Sequence, residues 1–209
     1  MPLDRHEFDK WAGSYDEGIA DSLHRFPFIG YYDALAAVKA AIRPHMGMRV
    51  LDIGIGTGLL SEELHKEGCV IHGIDFSFKM LDKAIRRVPS AKLEQVDISK
   101  DRLGPFNGQK FDAIVSSYVL HHLEPKHQAE FIATAVKENL SPGGRLAIAD
   151  IAFENPLLGM LAREKYGSHW DDDEHCPEAT FLIESLGDQG IKVYSRKISE
   201  CCMLFVCSL

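Results

Sequence analysis

Long apolar runs are missing from these 209 residues. The longest, near Cys201–Leu209, falls far short of the about 20 residues a bilayer-spanning helix needs. Met1–Glu7 lacks the apolar segment of a signal peptide, so a cytoplasmic protein is expected. Clustered Lys and Arg are missing as well. With 23 basic and 31 acidic residues the formal net charge is −8, the wrong sign for a phosphate backbone, so nucleic acid is not an expected partner. Cysteines are few. Five of them, an odd number with no regular spacing, form no disulfide framework, and reduced thiols are expected. Cys201-Cys202 lies in a strand-like run and reads as a packing pair, not a redox or metal pair. No repeat or low-complexity linker divides the chain, and its length suits one domain with a real core.

What is present after about residue 48 is an alternation of short β-rich runs and helical stretches, the pattern of an α/β fold with a parallel sheet. Strands are expected at 49–53, 70–75, 92–96, 111–116 and 145–149. Helices are expected at 59–67, at 77–88 behind an N-cap at Ser77, at 126–139, and at 177–186. Ser141-Pro142-Gly143-Gly144 reads as a turn, and 191–197 with 201–207 as a terminal hairpin. Phe28, Tyr31, Tyr32, Leu35, Val38 and Ile42 recur at helical spacing, and this stripe is expected to pack internally. Residues 153–176 show the least regularity.

The most informative segment is Val50-Leu51-Asp52-Ile53-Gly54-Ile55-Gly56-Thr57-Gly58-Leu59. A strand runs into a glycine turn and then a helix, so backbone N–H groups can meet a ligand at close range. Asp75 ends the next strand, where a carboxylate can accept from both hydroxyls of a ribose. Dinucleotide sites favour GxGxxG, but position 59 here is Leu, and an acid, Asp52, precedes the glycines. The acid-x-GxGxG pattern resembles the first motif of the class I S-adenosylmethionine-dependent methyltransferases. Val96-Asp97-Ile98, Phe111–Ser116 and Leu140–Ala149 match that family's later motifs in order, so the resemblance covers about residues 8–209. Trp11-Ala12 with Tyr15-Asp16, Val115–Tyr118 with His121-His122-Leu123, and Ala152–Asn155 further resemble the YrrT-type bacterial methyltransferases.

The resemblance implies a Rossmann-like, doubly wound, seven-stranded sheet, mostly parallel with an antiparallel last strand. Residues 1–48 would be a helical lid, 49–150 the cofactor core, and 151–209 a substrate cover with the terminal strands. It implies S-adenosylmethionine as cofactor, with Asp52, Gly54, Gly56 and Gly58 forming the motif and the first two of those glycines admitting the methionine part. Asp75 would hold the ribose and Asp97 the adenine amine. Ile98 would pack on the ring, with Phe76 and Met80 on its other face or in the core. The Ser116 carbonyl would receive the methionine amine, with Trp11 and Tyr15 as lid or as surface packing.

Methyl transfer from a sulfonium asks mainly for alignment and exclusion of water, and a base is needed only when the acceptor holds a proton. His121, His122 and Tyr118 follow the fourth strand and are the candidates to touch substrate; His169 and His175 lie in the presumptive cover. The run Asp171–Glu174 reads as a solvated acidic loop, and no metal is expected. The Asn/Asp-Pro-Pro-Tyr signature of exocyclic-amine methyltransferases is absent after the fourth strand, which speaks against nucleobase methylation, and a cover of short segments without a protein-docking domain makes a small-molecule acceptor the expectation. Two rival readings remain: an NAD(P)-dependent oxidoreductase, and a cofactor-binding protein without turnover. Residues 151–209 carry 5 basic and 10 acidic residues, while 49–150 carry 13 and 14, so the acidity concentrates near the expected substrate cover.

Overall fold

The computed structural model describes residues 15–209, Tyr15 by its backbone alone. Strand β1 (Arg49–Ile53) lies between β2 (Val70–Asp75) and β4 (Phe111–Ser117), with β3 (Lys92–Gln95) beyond β2. β5 (Leu140–Ile151), β7 (Cys202–Ser208) and β6 (Lys192–Lys197) complete a seven-stranded sheet in the order β3-β2-β1-β4-β5-β7-β6. β7 runs antiparallel to both neighbours; the pairings among β1 to β5 are parallel. Strand order reverses between β1 and β4, and a ligand cleft opens beyond the carboxyl ends of strands at such a point.

Burial on both faces explains the near-continuous apolar strands. Val50, Ala113, Val115 and Ala147 pack on one face, against α2 (Tyr31–Ile42), α3 (Leu59–Lys66) and α4 (Phe78–Arg87). Leu51, Ile53, Ile114, Leu146 and Ile148 pack on the other, against α6 (Pro125–Thr134) and α8 (Ala179–Gly187). The remaining helices are α1 (Tyr15–Ser22), the single turn α5 (Ile98–Asp101) and α7 (Pro156–Tyr166). The apolar stripe of α2 turns inward, burying Tyr31, Leu35, Val38 and Ile42, while Tyr32 faces solvent. Ser77 caps α4, its side chain accepting from the Met80 N–H at 3.2 Å.

The structure departs from the sequence expectation in three places. α6 passes at Ala135 into one π-helical turn, in which the Asn139 side-chain amide donates to the carbonyls of Phe106 and Gln109. β5 takes in the Pro142-Gly143 segment through a register shift against β4, where a turn was expected. Residues 153–176 contain α7, capped by Asn155, which accepts from the Leu158 N–H at 3.1 Å, with Pro156 at its first position. No helix among the described residues is long and apolar enough to cross a membrane.

Candidate active site

The first glycine of the loop after β1 is fixed by sterics. Gly54 has φ +68°, and a Cβ there would stand 2.2 Å from a Val119 methyl. Gly58 starts α3 at φ +86°, with Ala84 3.2 Å from where a Cβ would be. Over Gly56 (φ +55°), by contrast, a Cβ would meet nothing nearer than 3.9 Å, so that backbone borders open space. This space is a cleft at the carboxyl ends of β1, β2 and β4. Gly54, Gly56 and Asp75 form its floor, Phe76, Met80, Val96 and Ile98 an apolar wall, and Ser117, Tyr118, Val119 and His122 the opposite side.

Asp75 is buried, and each carboxylate oxygen accepts a backbone N–H at 2.9 Å, from Gly56 and from Ser77. The acid is thereby locked to the glycine turn. Asp97 also borders the cleft. It caps α5, accepting from the Ser99 N–H and hydroxyl, while Lys100 donates at 2.6 Å. Burial opposes its charge, but these donors hold its pKa below the ordinary value. Asp52 stands behind the turn, buried, accepting from the Ser61 hydroxyl at 2.6 Å. Burial, opposed by that hydrogen bond and reinforced by the charge of Asp75, pushes its pKa up to about 7. Asp52 and Gly58 do not border the main cleft.

Ser116 is buried, and its hydroxyl donates to the Ile53 carbonyl at 2.9 Å. Ser117 borders the cleft, and β4 continues one residue beyond its expected end. Trp11 and the Tyr15 side chain lie outside the described residues. The helix following them is tied down by Asp16, which accepts from Thr57 Oγ1 at 2.7 Å and pairs with Arg87.

Tyr118 takes a left-handed backbone (φ +58°) as the chain leaves β4. Its ring stacks on Tyr31 at 5.0 Å, and burial of the phenol raises its pKa. A 3-10 turn at Leu120–His122 then sets two imidazoles side by side, 4.0 Å between centroids. His121 is buried, its Nδ1 2.5 Å from Asp150 Oδ1. Asp150 ends the apolar part of β5 and also accepts the N–H groups of Val119, Leu120 and Ile151. With acceptors facing it, Nδ1 carries the proton, which leaves Nε2 3.6 Å from Glu174 Oε1. Burial lowers the His121 pKa, but the stronger combined pull of Asp150 and Glu174 raises it above the usual value. Burial beside His121 drops that of His122 to about 2, and burial raises that of Glu174.

Asp150 and Glu174 were not among the residues singled out in the sequence. Asp150 carried one signal, an acid closing an otherwise apolar strand run. Glu174 belongs to the acidic run, but only Asp171, Asp172 and Asp173 are fully exposed; Glu174 turns inward. The His175 N–H donates to the His121 carbonyl at 2.7 Å and Gln128 donates to the His175 carbonyl, which together pin this loop beside the histidines. His169 is exposed and stands apart.

The segment that carries the glycine turn and the acid at the end of β2 lies within a match to known proteins. Residues 50–144 match a family model described as a methyltransferase domain. An uncharacterised methyltransferase of Alkaliphilus oremlandii is 35% identical over 92% of this chain and 90% of its own. The chain belongs to the methyltransferase family. Another relative in the same family, the uncharacterised methyltransferase YrrT of Bacillus subtilis, is 30% identical over 89% of this chain and 88% of its own. The magnesium protoporphyrin IX methyltransferase of Synechocystis, solved with bound SAH, superposes with a TM-score of 0.70 over 98% of this chain and 99% of its own, at 18% identity. That likeness speaks to the fold: a methyltransferase sheet with the antiparallel β7 inserted between β5 and β6.

Proposed function

We propose that this methyltransferase binds S-adenosylmethionine in the cleft and passes its methyl group to a small-molecule acceptor entering beside His122. The observation that carries the reading is Asp75, a carboxylate at the end of β2 that accepts from the Gly56 N–H and borders the cleft. When bound, S-adenosylmethionine supplies a methyl group already activated on a sulfonium.

The chain's own residues have to bind, orient and keep water out. Gly54 and Gly56 let the backbone come close, and Asp75 accepts from the ribose. Asp97, held as an anion by Ser99 and Lys100, accepts from the adenine amine. Met80 and Ile98 supply apolar surface for the base, with Phe76 beside them. The Ser116 carbonyl receives the methionine amine, with Ser117 next to it on the cleft wall. His122 stays neutral and offers an uncharged ring to the acceptor, while Asp150 fixes the ring of His121 behind it.

Titration calorimetry tests this reading. S-adenosylmethionine and S-adenosylhomocysteine should bind, NADH should not, and Asp75→Ala should weaken both sulfur ligands by at least about 10-fold, the loss of a charge-assisted pair of hydrogen bonds. Binding of NADH alone would overturn the cofactor, and undiminished affinity in the variant would overturn the role of Asp75. Turnover to S-adenosylhomocysteine across a panel of thiols, amines, phenols and carboxylates separates an enzyme from a non-catalytic binder.

A further inference from the structure

The wall of the cleft continues into a group of side chains that cofactor binding does not use. One donor atom from each of His121, His122 and Glu174 lies within 4.8 Å of the other two. Of the three, His122 borders the cleft, and His121 and Glu174 lie behind it.

One pair in this group has the separation of two ligands on a shared ion. His121 Nε2 and Glu174 Oε1 stand 3.6 Å apart, beyond the about 3.2 Å at which such a bond is made. Two ligands on one tetrahedral ion, each about 2.1 Å from it, are about 3.4 Å apart. The second observation lies behind the ring. Asp150, fully buried, engages Nδ1 of His121 at 2.5 Å, and three backbone N–H groups hold the carboxylate in place. A carboxylate behind one imidazole nitrogen fixes the ring and raises the basicity of the other nitrogen, as it does behind metal-ligating histidines. Two imidazoles and a carboxylate leave a fourth position open, the donor set of catalytic rather than structural sites, and they suit a first-row divalent ion rather than magnesium or calcium.

We propose that His121, His122 and Glu174 bind a divalent transition-metal ion of the zinc type at the acceptor end of the cleft, with Asp150 as positioning residue. The role of the ion rests on the methyltransferase reading; its binding does not. A thiol or hydroxyl acceptor taking the open position binds through its heteroatom. Its S–H or O–H bond then breaks, the electron pair stays on the heteroatom, and the proton leaves to water. The acceptor is thus delivered as an anion next to the methyl donor, without a side chain acting as base.

The test uses the full-length protein, stripped with chelator and titrated with Co²⁺ in the absence of any sulfur cofactor. The expected result is saturation at one equivalent per chain, with the intense visible absorption of a four-coordinate site, displaced by Zn²⁺ and not by Mg²⁺. Glu174→Gln and His122→Ala should each weaken Co²⁺ binding by at least about 10-fold. Asp150→Asn should weaken it by about 10- to 100-fold. Thermal unfolding of each variant reports whether it folds; should Asp150→Asn or Glu174→Gln fail to, His122→Ala decides. No saturable equivalent in the parent protein, or undiminished affinity in the folded variants, overturns the site. Because no sulfur cofactor is present, that outcome leaves the methyltransferase reading standing, and a failure to bind S-adenosylmethionine leaves the metal site standing.

Discussion

Asp52 shows how one buried acid links the first motif to pH. It accepts from the Ser61 hydroxyl out of reach of solvent, and its pKa rises from 3.8 to about 7 because burial penalises the anion more than that one bond favours it. The folded chain therefore holds this proton more tightly than the unfolded chain. The stabilisation is complete below the unfolded value near 3.8 and is lost as pH rises through about 7. Asp52→Asn should remove this dependence. The difference in stability between parent and variant should change by up to about 1.4 kcal/mol per pH unit between pH 4 and 7, in the sense that the parent gains on acidification. Urea midpoints across that range check it, and parallel curves for the two proteins would refute the assignment. Asp52 was visible in the sequence as part of a motif, and so were the glycines, whose positive φ is a property of one residue and its neighbours. Asp150 and Glu174 were not. Their partner is His121, 29 residues before the first of them, and only the pairing of β4 with β5 and the docking of the 171–176 loop bring them together.

At the scale of elements, the α/β alternation was readable because strands buried on both faces and the α2 stripe both leave strong periodic signals. α7 was not readable for the opposite reason. Leu157, Met160 and Leu161 have helical spacing but are exposed, and within the helix Ala162 alone is buried, so the pattern does not mark a core-facing stripe. Its signal was local, Asn155 followed by Pro156, a cap with proline at the first position. α1 has a small set of anchors among the described residues. Ile19 is buried, while Asp16 links the helix to Thr57 of the glycine loop and to Arg87 of α4. Asp16→Ala should destabilise α1 locally by about 1 kcal/mol, the worth of one hydrogen bond and a half-exposed ion pair. Hydrogen exchange of α1 amides should then be about 5-fold faster, with exchange in β1 and β4 unchanged. Equal acceleration throughout the sheet would mean that Asp16 supports the whole fold and not this helix.

The whole molecule is organised around one sheet, and its charge follows that plan. Asp171, Asp172 and Asp173 stay at the surface, with Asp172 paired to Arg163, while Glu174 turns toward the histidines. The acidic run 171–174 therefore has two parts: a solvated edge, which composition implied, and one inward carboxylate, which a count cannot distinguish. The same sheet decides how the chain unfolds. The clusters on its two faces have no boundary between them except the strands both share, and the cleft is floored by the ends of β1, β2 and β4. Losing either helical layer exposes the apolar residues of the same strands, so neither is expected to unfold alone. The consequence is one thermal transition for the sheet and the helices packed on its two faces, α2 included. S-adenosylmethionine at 100 times its dissociation constant adds about 2.7 kcal/mol, which for a chain of this size raises Tm by about 5–11 °C. Calorimetry with and without the ligand checks this. Two resolved transitions, only one of them moved by the ligand, would show the N-terminal helices or the 151–209 cover to be a separate folding unit docked on the cofactor core.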